Sequence, residues 1–122
     1  MISINNLTKD KVDEGFLKKV ANIVLKAENK TKMDLSIALV GQERIKELNR
    51  QYRGKNKATD VLSFRYNNDF GEVVICHQKT KELPRVLVHG ILHILGFTHP
   101  SKISGQVNKM EKKEDYYLSK IF

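Results

Sequence analysis

Cysteine, proline and tryptophan are scarce in this sequence of 122 residues, which contains one cysteine, two prolines and no tryptophan. Because Cys76 is the only cysteine, no internal disulfide can form, and its position after the apolar run 73–75 predicts a small buried side chain. The sequence also lacks an apolar run near the roughly 20 residues of a membrane span, and residues 1–10 lack the apolar stretch of a signal peptide. We therefore expect a cytoplasmic protein with no membrane contact.

No repeat, low-complexity tract or linker divides the chain, so we expect a single domain over residues 1–122. Lysine and arginine number 22 against 14 acidic residues, a formal net charge of +8. Such a surface attracts phosphate, although most charge on basic proteins is simply solvated. The sequence shows no motif of clustered aromatic residues that would stack unpaired RNA bases.

Histidine is also scarce, yet three of the four histidines fall between residues 89 and 99. His89 and His93 are four residues apart, so in a helix both imidazoles project from one face and can reach one metal ion. Pro84 suits the first turn of such a helix, and Gly96 suits the left-handed conformation past its end. His99 then follows the turn as a third ligand, which leaves the fourth tetrahedral position for water, as in catalytic zinc sites.

The same segment can be interpreted as a buried helix whose histidines are satisfied by hydrogen bonds alone. Its apolar residues lie nearly all round the helix, which predicts burial on several sides. Neutral imidazoles are costly to bury without a partner. The close spacing of three histidines, with a glycine where the chain must turn, favours the metal site.

The histidine spacing matches the zinc peptidase pattern H-E-x-x-H-x-x-G-x-x-H except at its second position, where this chain has Gly90. A peptidase uses the glutamate to take a proton from the zinc-bound water and pass it to the leaving amine. A carboxylate beside the metal would also repel an anionic phosphodiester. Gly90 therefore disfavours peptide hydrolysis and favours a nucleic acid substrate.

Two segments together resemble the YbeY family of endoribonucleases, also called rRNA maturation factors. The family's histidine motif, H-G-x-L-H-L-x-G-[YF]-D-H, matches residues 89–99, HGILHILGFTH. A second match covers residues 48–64, LNRQYRGKNKATDVLSF, followed by residues 71–76, GEVVIC. The resemblance implies a zincin-like fold and a role in small-subunit ribosomal RNA processing and ribosome quality control.

A basic segment, residues 52–57, follows the predicted second helix. Taken alone, such residues are explained by their favourable interaction with the carboxyl end of a helix. The family resemblance implies an arginine near the metal that is important for activity, and we assign this role to Arg53. Its guanidinium can hold a phosphate through two parallel hydrogen bonds. Lys55 and Lys57 are weaker candidates for contacts with the RNA backbone.

Three features depart from the family pattern. Thr98 replaces an aspartate before the third histidine, and so removes a carboxylate that could act beside the metal or in proton transfer. Glu72 replaces the usual aspartate and is a possible general base, because no carboxylate lies in the histidine motif. The segment from Cys76 to His89 is shorter than in the family, so we expect a connecting helix there to be reduced or missing.

Hydrophobic periodicity and turn residues predict an α+β fold with one mixed four-stranded sheet and about four helices. Strands are predicted at residues 2–4, 35–40, 61–64 and 72–75, and helices at residues 13–29, 42–51, 83–96 and 107–121. A polar turn is predicted at residues 67–69. The predicted inward residues of the first helix are Phe16, Val20, Ile23, Val24 and Ala27.

The sequence is therefore interpreted as a metal-dependent endoribonuclease in which His89, His93 and His99 hold one Zn²⁺ and Arg53 acts on the phosphate. Its expected partner is RNA, from the small ribosomal subunit or the ribosome itself. One alternative is a ribosome-associated RNA-binding module whose metal is mainly structural. A less favoured alternative is a metallopeptidase, which shares the ligand geometry.

Overall fold

Segments of alternating or continuous apolar residues form the strands of one mixed sheet. The structure, a computed structural model, describes residues 1–97 and 104–122. Its elements in chain order are β1 (Ile2–Asn6), α1 (Glu14–Ala27), β2 (Asp34–Leu39), α2 (Gln42–Arg53), β3 (Val61–Asn67), β4 (Phe70–Ile75), a one-turn 3-10 helix (His77–Lys79), α3 (Leu83–Ile94) and α4 (Ser104–Ile121). Within these residues the predicted mixed sheet of four strands with four α-helices is confirmed.

The strands are ordered β1-β2-β4-β3 across the sheet. β1 and β2 run parallel, as do β2 and β4, whereas β3 pairs antiparallel with β4. The β3–β4 hairpin closes at the predicted polar turn, where the Asp69 amide donates to Oδ1 of Asn67 over 2.8 Å. Within the described residues, β3 is therefore an edge strand of the sheet.

The two faces of the sheet carry separate cores. Helices α1, α3 and α4 cover one face, where the larger cluster includes Leu35, Ile37 and Leu39 of β2. The opposite face packs against α2 through a smaller cluster that includes Ile45 and Cys76. Cys76 is fully buried as predicted, and burial raises the pKa of its thiol. None of the described helices combines the length and the apolarity needed to cross a membrane.

The helix bounds differ from the prediction by up to three residues, and the differences in α1 and α2 have physical reasons. α2 continues to Arg53 instead of ending at Gln51, because Gly54 with φ of 69° is the residue that terminates it. The inward face of α1 is also rotated, since the helix packs against α3 and α4 as well as β1. Its buried residues are Leu17, Val20, Ala21, Val24 and Leu25, whereas Phe16 and Ile23 are partly buried and Ala27 is exposed.

Helix α3 lies directly on the β3–β4 hairpin. A Cβ atom at Gly90 would come within 2.7 Å of Cγ1 of Val73, so no larger residue fits there without a shift. One turn later, Ile94 occupies the space above Gly71, where a Cβ would be 2.8 Å from Cγ2 of Ile94. The two glycines, one on the helix and one on the sheet, allow the close approach of the two backbones.

Polar side chains of β3 attach the same helix to the sheet edge. Oγ of Ser63 donates to the carbonyl of Gly90 over 2.8 Å. Arg65 donates from Nη1 to the carbonyl of Ile94 over 3.2 Å, at the end of α3 where carbonyls lack a helical partner. Both contacts set the position of α3 along the strand.

Helix α4 packs on α3 and is linked to the end of α1. The Tyr117 hydroxyl and the Lys113 ammonium both donate to Oε2 of Glu28, the latter over 2.9 Å. Burial alone would raise the pKa of Glu28, but these two hydrogen bonds together with the positive charges of Lys113 and Lys109 outweigh it and lower the pKa below its ordinary value. Met110 on the same helix is buried.

The close approach at Gly90 predicts that even one added methyl group destabilises the protein. Gly90→Ala should lower the free energy of unfolding by about 1 kcal/mol, because an overpacking cost of about 2 kcal/mol exceeds the roughly 1 kcal/mol gained from better helix propensity. Chemical denaturation measures the difference. Gly15→Ala is the matched control, since the nearest atom to its Cβ, Oδ1 of Asp13, is 3.6 Å away. Equal stability of Gly90→Ala and wild type would contradict the packing argument.

Candidate active site

His89 and His93 lie one turn apart on α3, and their rings converge at one point. Their Nε2 atoms are 3.0 Å apart, and the ring planes are inclined at 79°. Two nitrogens bound to one tetrahedral zinc at about 2.0–2.1 Å each would be about 3.3 Å apart, so the observed separation suits a shared ion. The structure thus brings together two of the three predicted ligands.

The third predicted ligand follows the end of α3. Gly96 adopts a left-handed conformation with φ of 102°, as predicted, and the amide of Phe97 donates to the carbonyl of Leu92 over 3.0 Å. His99, together with Thr98, lies outside the described residues. Among the residues that are described, no group of three or more His, Cys, Asp or Glu side chains suited to a metal ion is found. His99 as a ligand therefore stays a prediction.

A buried carboxylate from α4 lies behind His89. Oε2 of Glu114 is 3.2 Å from Nδ1 of His89, and only 5% of the Glu114 surface is exposed. An Nδ1 proton donated to this carboxylate leaves the lone pair of Nε2 directed toward His93, the form in which histidine binds metals. Arg85, one turn before His89 on α3, donates to Oε1 of Glu114 over 3.4 Å and to Oδ1 of Asp115 over 2.7 Å.

Sequence reasoning missed both Glu114 and Arg85. A signal for Glu114 was nevertheless present, because Met110, Glu114 and Tyr117 occur at helical spacing and all three are buried on one side of α4. A carboxylate within an apolar stripe is rarely buried without a partner. The identity of that partner, His89 on another helix, could not be read from local spacing.

A cavity of about 510 Å³ opens in front of the histidine rings, beside the edge strand β3. Its described lining consists of Tyr52, Arg53, Val61, Leu62, Ser63, Phe64, Arg65, His89, His93 and Ile94. The cavity therefore brings Arg53 together with His89 and His93, which lie about 40 residues later in the chain. Lys55 and Lys57 are not among these lining residues.

Arg53 is the last residue of α2, where the loop that follows is fixed by a buried side chain. Nδ2 of Asn49 donates to the carbonyl of Lys57 over 2.9 Å, and the amide of Lys55 donates to the carbonyl of Asn49 over 3.3 Å. The guanidinium of Arg53 is exposed and forms no ion pair with any side chain in the described part of the chain. It is therefore available to an anion in the cavity.

The suggestion of Glu72 as a general base is wrong. Gly71 and Val73 face α3, and the intervening Glu72 points to the opposite side of the sheet. There its Oε1 accepts from the Tyr66 hydroxyl over 3.1 Å and its Oε2 accepts from Ser36 over 3.2 Å. The fourth histidine, His77, is not among the described lining residues of the cavity, and its Nε2 is 2.8 Å from Oδ2 of Asp10.

Comparison with known proteins gives matches over almost the whole length of this chain. The family model described as Endoribonuclease YbeY matches residues 3–122. A protein named Endoribonuclease YbeY from Aquifex aeolicus is 35% identical, with 94% of this chain and 88% of the relative covered, and one from Thermodesulfovibrio yellowstonii is 38% identical, with 85% and 76% covered. The solution structure of TM1509 from Thermotoga maritima aligns with a TM-score of 0.64 at 28% identity, covering 99% of this chain and 89% of that one. The matched motifs, the fold and these relatives agree, and the chain belongs to the YbeY endoribonuclease family.

Proposed function

We propose that this protein is a zinc-dependent endoribonuclease that acts in the cytoplasm on small-subunit ribosomal RNA, in its maturation and in ribosome quality control. Family membership supports an enzyme that cleaves RNA phosphodiester bonds. The observation that carries the proposal is the convergence of His89 and His93 on a cavity that also contains Arg53, with Glu114 behind the first histidine.

The donor set suits zinc. His89 and His93 would hold the ion together with His99, and Glu114 keeps His89 in the orientation that a metal requires. The chemistry that zinc supplies when bound is Lewis-acid polarisation of an oxygen and a coordinated water with a pKa near about 7.

Arg53 supplies the contact that a phosphodiester needs. Its guanidinium can donate two parallel hydrogen bonds to the phosphate oxygens and offset the negative charge that develops on them as the bond breaks. Because no ion pair holds Arg53 within the described residues, no such contact has to be broken when the substrate binds. Arg53 therefore both orients the phosphate and stabilises the transition state.

The space around Gly90 argues against peptide hydrolysis. The zinc peptidase pattern has its glutamate at this position, and here a side chain would collide with Val73 and come within 3.2 Å of Oγ of Ser63. The described lining of the cavity also contains no carboxylate. Glu114 is not among these lining residues and contacts Nδ1 of His89, so it acts through that ring.

His93→Ala should lose bound zinc and RNA cleavage together. The control is His77→Ala, which removes a histidine that pairs with Asp10 outside the cavity lining. Cleavage of small-subunit ribosomal RNA fragments, zinc content and circular dichroism are measured on identically purified proteins. Full activity of His93→Ala would refute the metal mechanism. A different result would favour an RNA-binding module with a structural metal. In that case the wild type binds RNA without cleaving it, and the protein unfolds when zinc is lost.

Arg53→Ala should lower kcat about 100-fold, the loss typical when one donor to a transition-state oxyanion is removed. Zinc content should be unchanged, since Arg53 holds none of the histidines. Arg50→Ala, an exposed arginine on the preceding turn of α2 and outside the described cavity lining, serves as the matched control. Similar kcat values for the two variants would show that general positive charge, and not the position of Arg53, assists cleavage.

Glu114→Gln should weaken zinc binding by about 10- to 100-fold, because the neutral amide orients His89 less firmly and lowers its basicity. The zinc dissociation constant is measured by competition with a chromophoric chelator. Asp115→Asn provides the control, since it removes the exposed partner of Arg85 without contact to a histidine. Equal dissociation constants for wild type and Glu114→Gln would eliminate the orienting role.

A further inference from the structure

Four aromatic rings form a continuous row on the α2 side of the sheet. They are Tyr52 of α2, Phe64 and Tyr66 of β3, and Phe70 of β4, and we call them the aromatic row. Successive ring centroids are 5.3, 6.3 and 5.0 Å apart along this order. The planes of Phe64 and Tyr66 are inclined by only 14°, and those of Tyr66 and Phe70 by 25°.

Three of the four residues in the aromatic row are exposed, although large aromatic side chains are usually buried on average. Tyr52 is 63% exposed, Tyr66 55% and Phe70 38%. α2 covers only the part of this sheet face near Ile45 and Leu62, so the rings farther along the hairpin lie beyond the helix. Exposed apolar surface in one continuous patch commonly marks a binding site.

The row leads into the candidate active site. Tyr52 and Phe64 line the cavity in front of the histidines, and both also line a neighbouring groove that contains Tyr66. A strand bound in the cavity can therefore continue along the groove without leaving the surface. Such continuity fits an extended polymer better than a compact ligand.

The charges along this path fit a polyanion. Arg53 lies at the cavity end, and Arg44, whose Nη1 pairs with Oε1 of Glu47 over 3.2 Å, lines the groove. Glu72 is the one carboxylate among the described lining residues of the groove, and its oxygens accept from the hydroxyls of Tyr66 and Ser36. The contact to Glu72 holds the phenol end of the Tyr66 ring, and just over half of the residue surface remains exposed.

We propose that the aromatic row is a stacking surface for unpaired bases of the RNA strand whose phosphodiester lies in the histidine cavity. Every base has a π face, so stacking on aromatic side chains holds single-stranded RNA with little dependence on sequence. Bases within a duplex are already stacked and paired, so the row selects unpaired segments. The assignment rests on the proposed ribonuclease function, and it extends the substrate contact from the cavity to the other side of β3.

Tyr66→Ala tests the row through binding, separately from cleavage. Fluorescence anisotropy with a labelled short single-stranded 2′-O-methyl RNA, checked for intactness by gel electrophoresis, should show a dissociation constant raised about tenfold. Affinity for a blunt hairpin of the same composition should stay at the wild-type value. Tyr116→Ala is the matched control, because Tyr116 on α4 has the same exposed fraction of 55% and lies away from the row.

Two further variants separate stacking from other effects. Tyr66→Phe keeps the ring and should bind almost as wild type, whereas Tyr66→Leu keeps apolar area without a π face and should bind as weakly as Tyr66→Ala. Thermal unfolding of each variant verifies that the fold is retained. Wild-type binding by Tyr66→Leu, or unchanged binding by both Tyr66→Ala and Phe70→Ala, would overturn the assignment and leave a surface better suited to a protein partner.

Cleavage assays keep this proposal distinct from the proposed function. Tyr66→Ala should raise KM for a long single-stranded RNA, because the loss of one stacking ring weakens binding of the strand. Weakened binding by Tyr66→Ala in a protein that cleaves no RNA would support the row and refute the nuclease. Normal cleavage of long RNA with unchanged KM would refute the row alone.

Discussion

The close approach of α3 to the β3–β4 hairpin is the constraint on which the site depends. Gly90 on the helix and Gly71 on the sheet remove the side chains that would keep the two backbones apart. Residues 90 and 94 consequently face the sheet, and the preceding residues of the same turns, His89 and His93, project to the flank beside the edge strand. The contact that buries the helix therefore also aims the histidine pair.

The remaining elements complete the site from different directions. α2 ends at Arg53 and extends it into the cavity from the far side of β3, while α4 brings Glu114 against the back of His89. α4 is itself linked to α1 through Glu28, which accepts hydrogen bonds from Tyr117 and Lys113. The geometry of one histidine thus depends on contacts among three helices.

The same edge strand serves two surfaces. Alternate residues of β3 point to opposite faces, so Ser63 and Arg65 hold α3 while Phe64 and Tyr66 belong to the aromatic row. Because β3 pairs with β4 on one side only, both sets of side chains adjoin the open edge. A strand that crosses this edge can contact the histidine cavity and the row at once, and Phe64, which lines the cavity and belongs to the row, lies where the two surfaces meet.

Local sequence patterns predicted correctly those features that depend on a single helix, strand or turn. The spacing of His89 and His93, the left-handed Gly96 and the alternation along the strands depend on helical or strand periodicity, which the sequence expresses directly. The sequence likewise excluded a disulfide. Prediction failed for features that depend on packing between distant segments, such as the buried face of α1 and the side of the sheet on which Glu72 lies.

The sequence by itself therefore determined the elements, the histidine pair and the family motifs, since these are encoded by spacing along the chain. Only the tertiary structure decided that Glu114 lies against His89, that Gly90 is needed for packing, and that four scattered aromatic residues form one row. Each of these depends on side chains that are remote in sequence and meet only when the helices pack on the sheet.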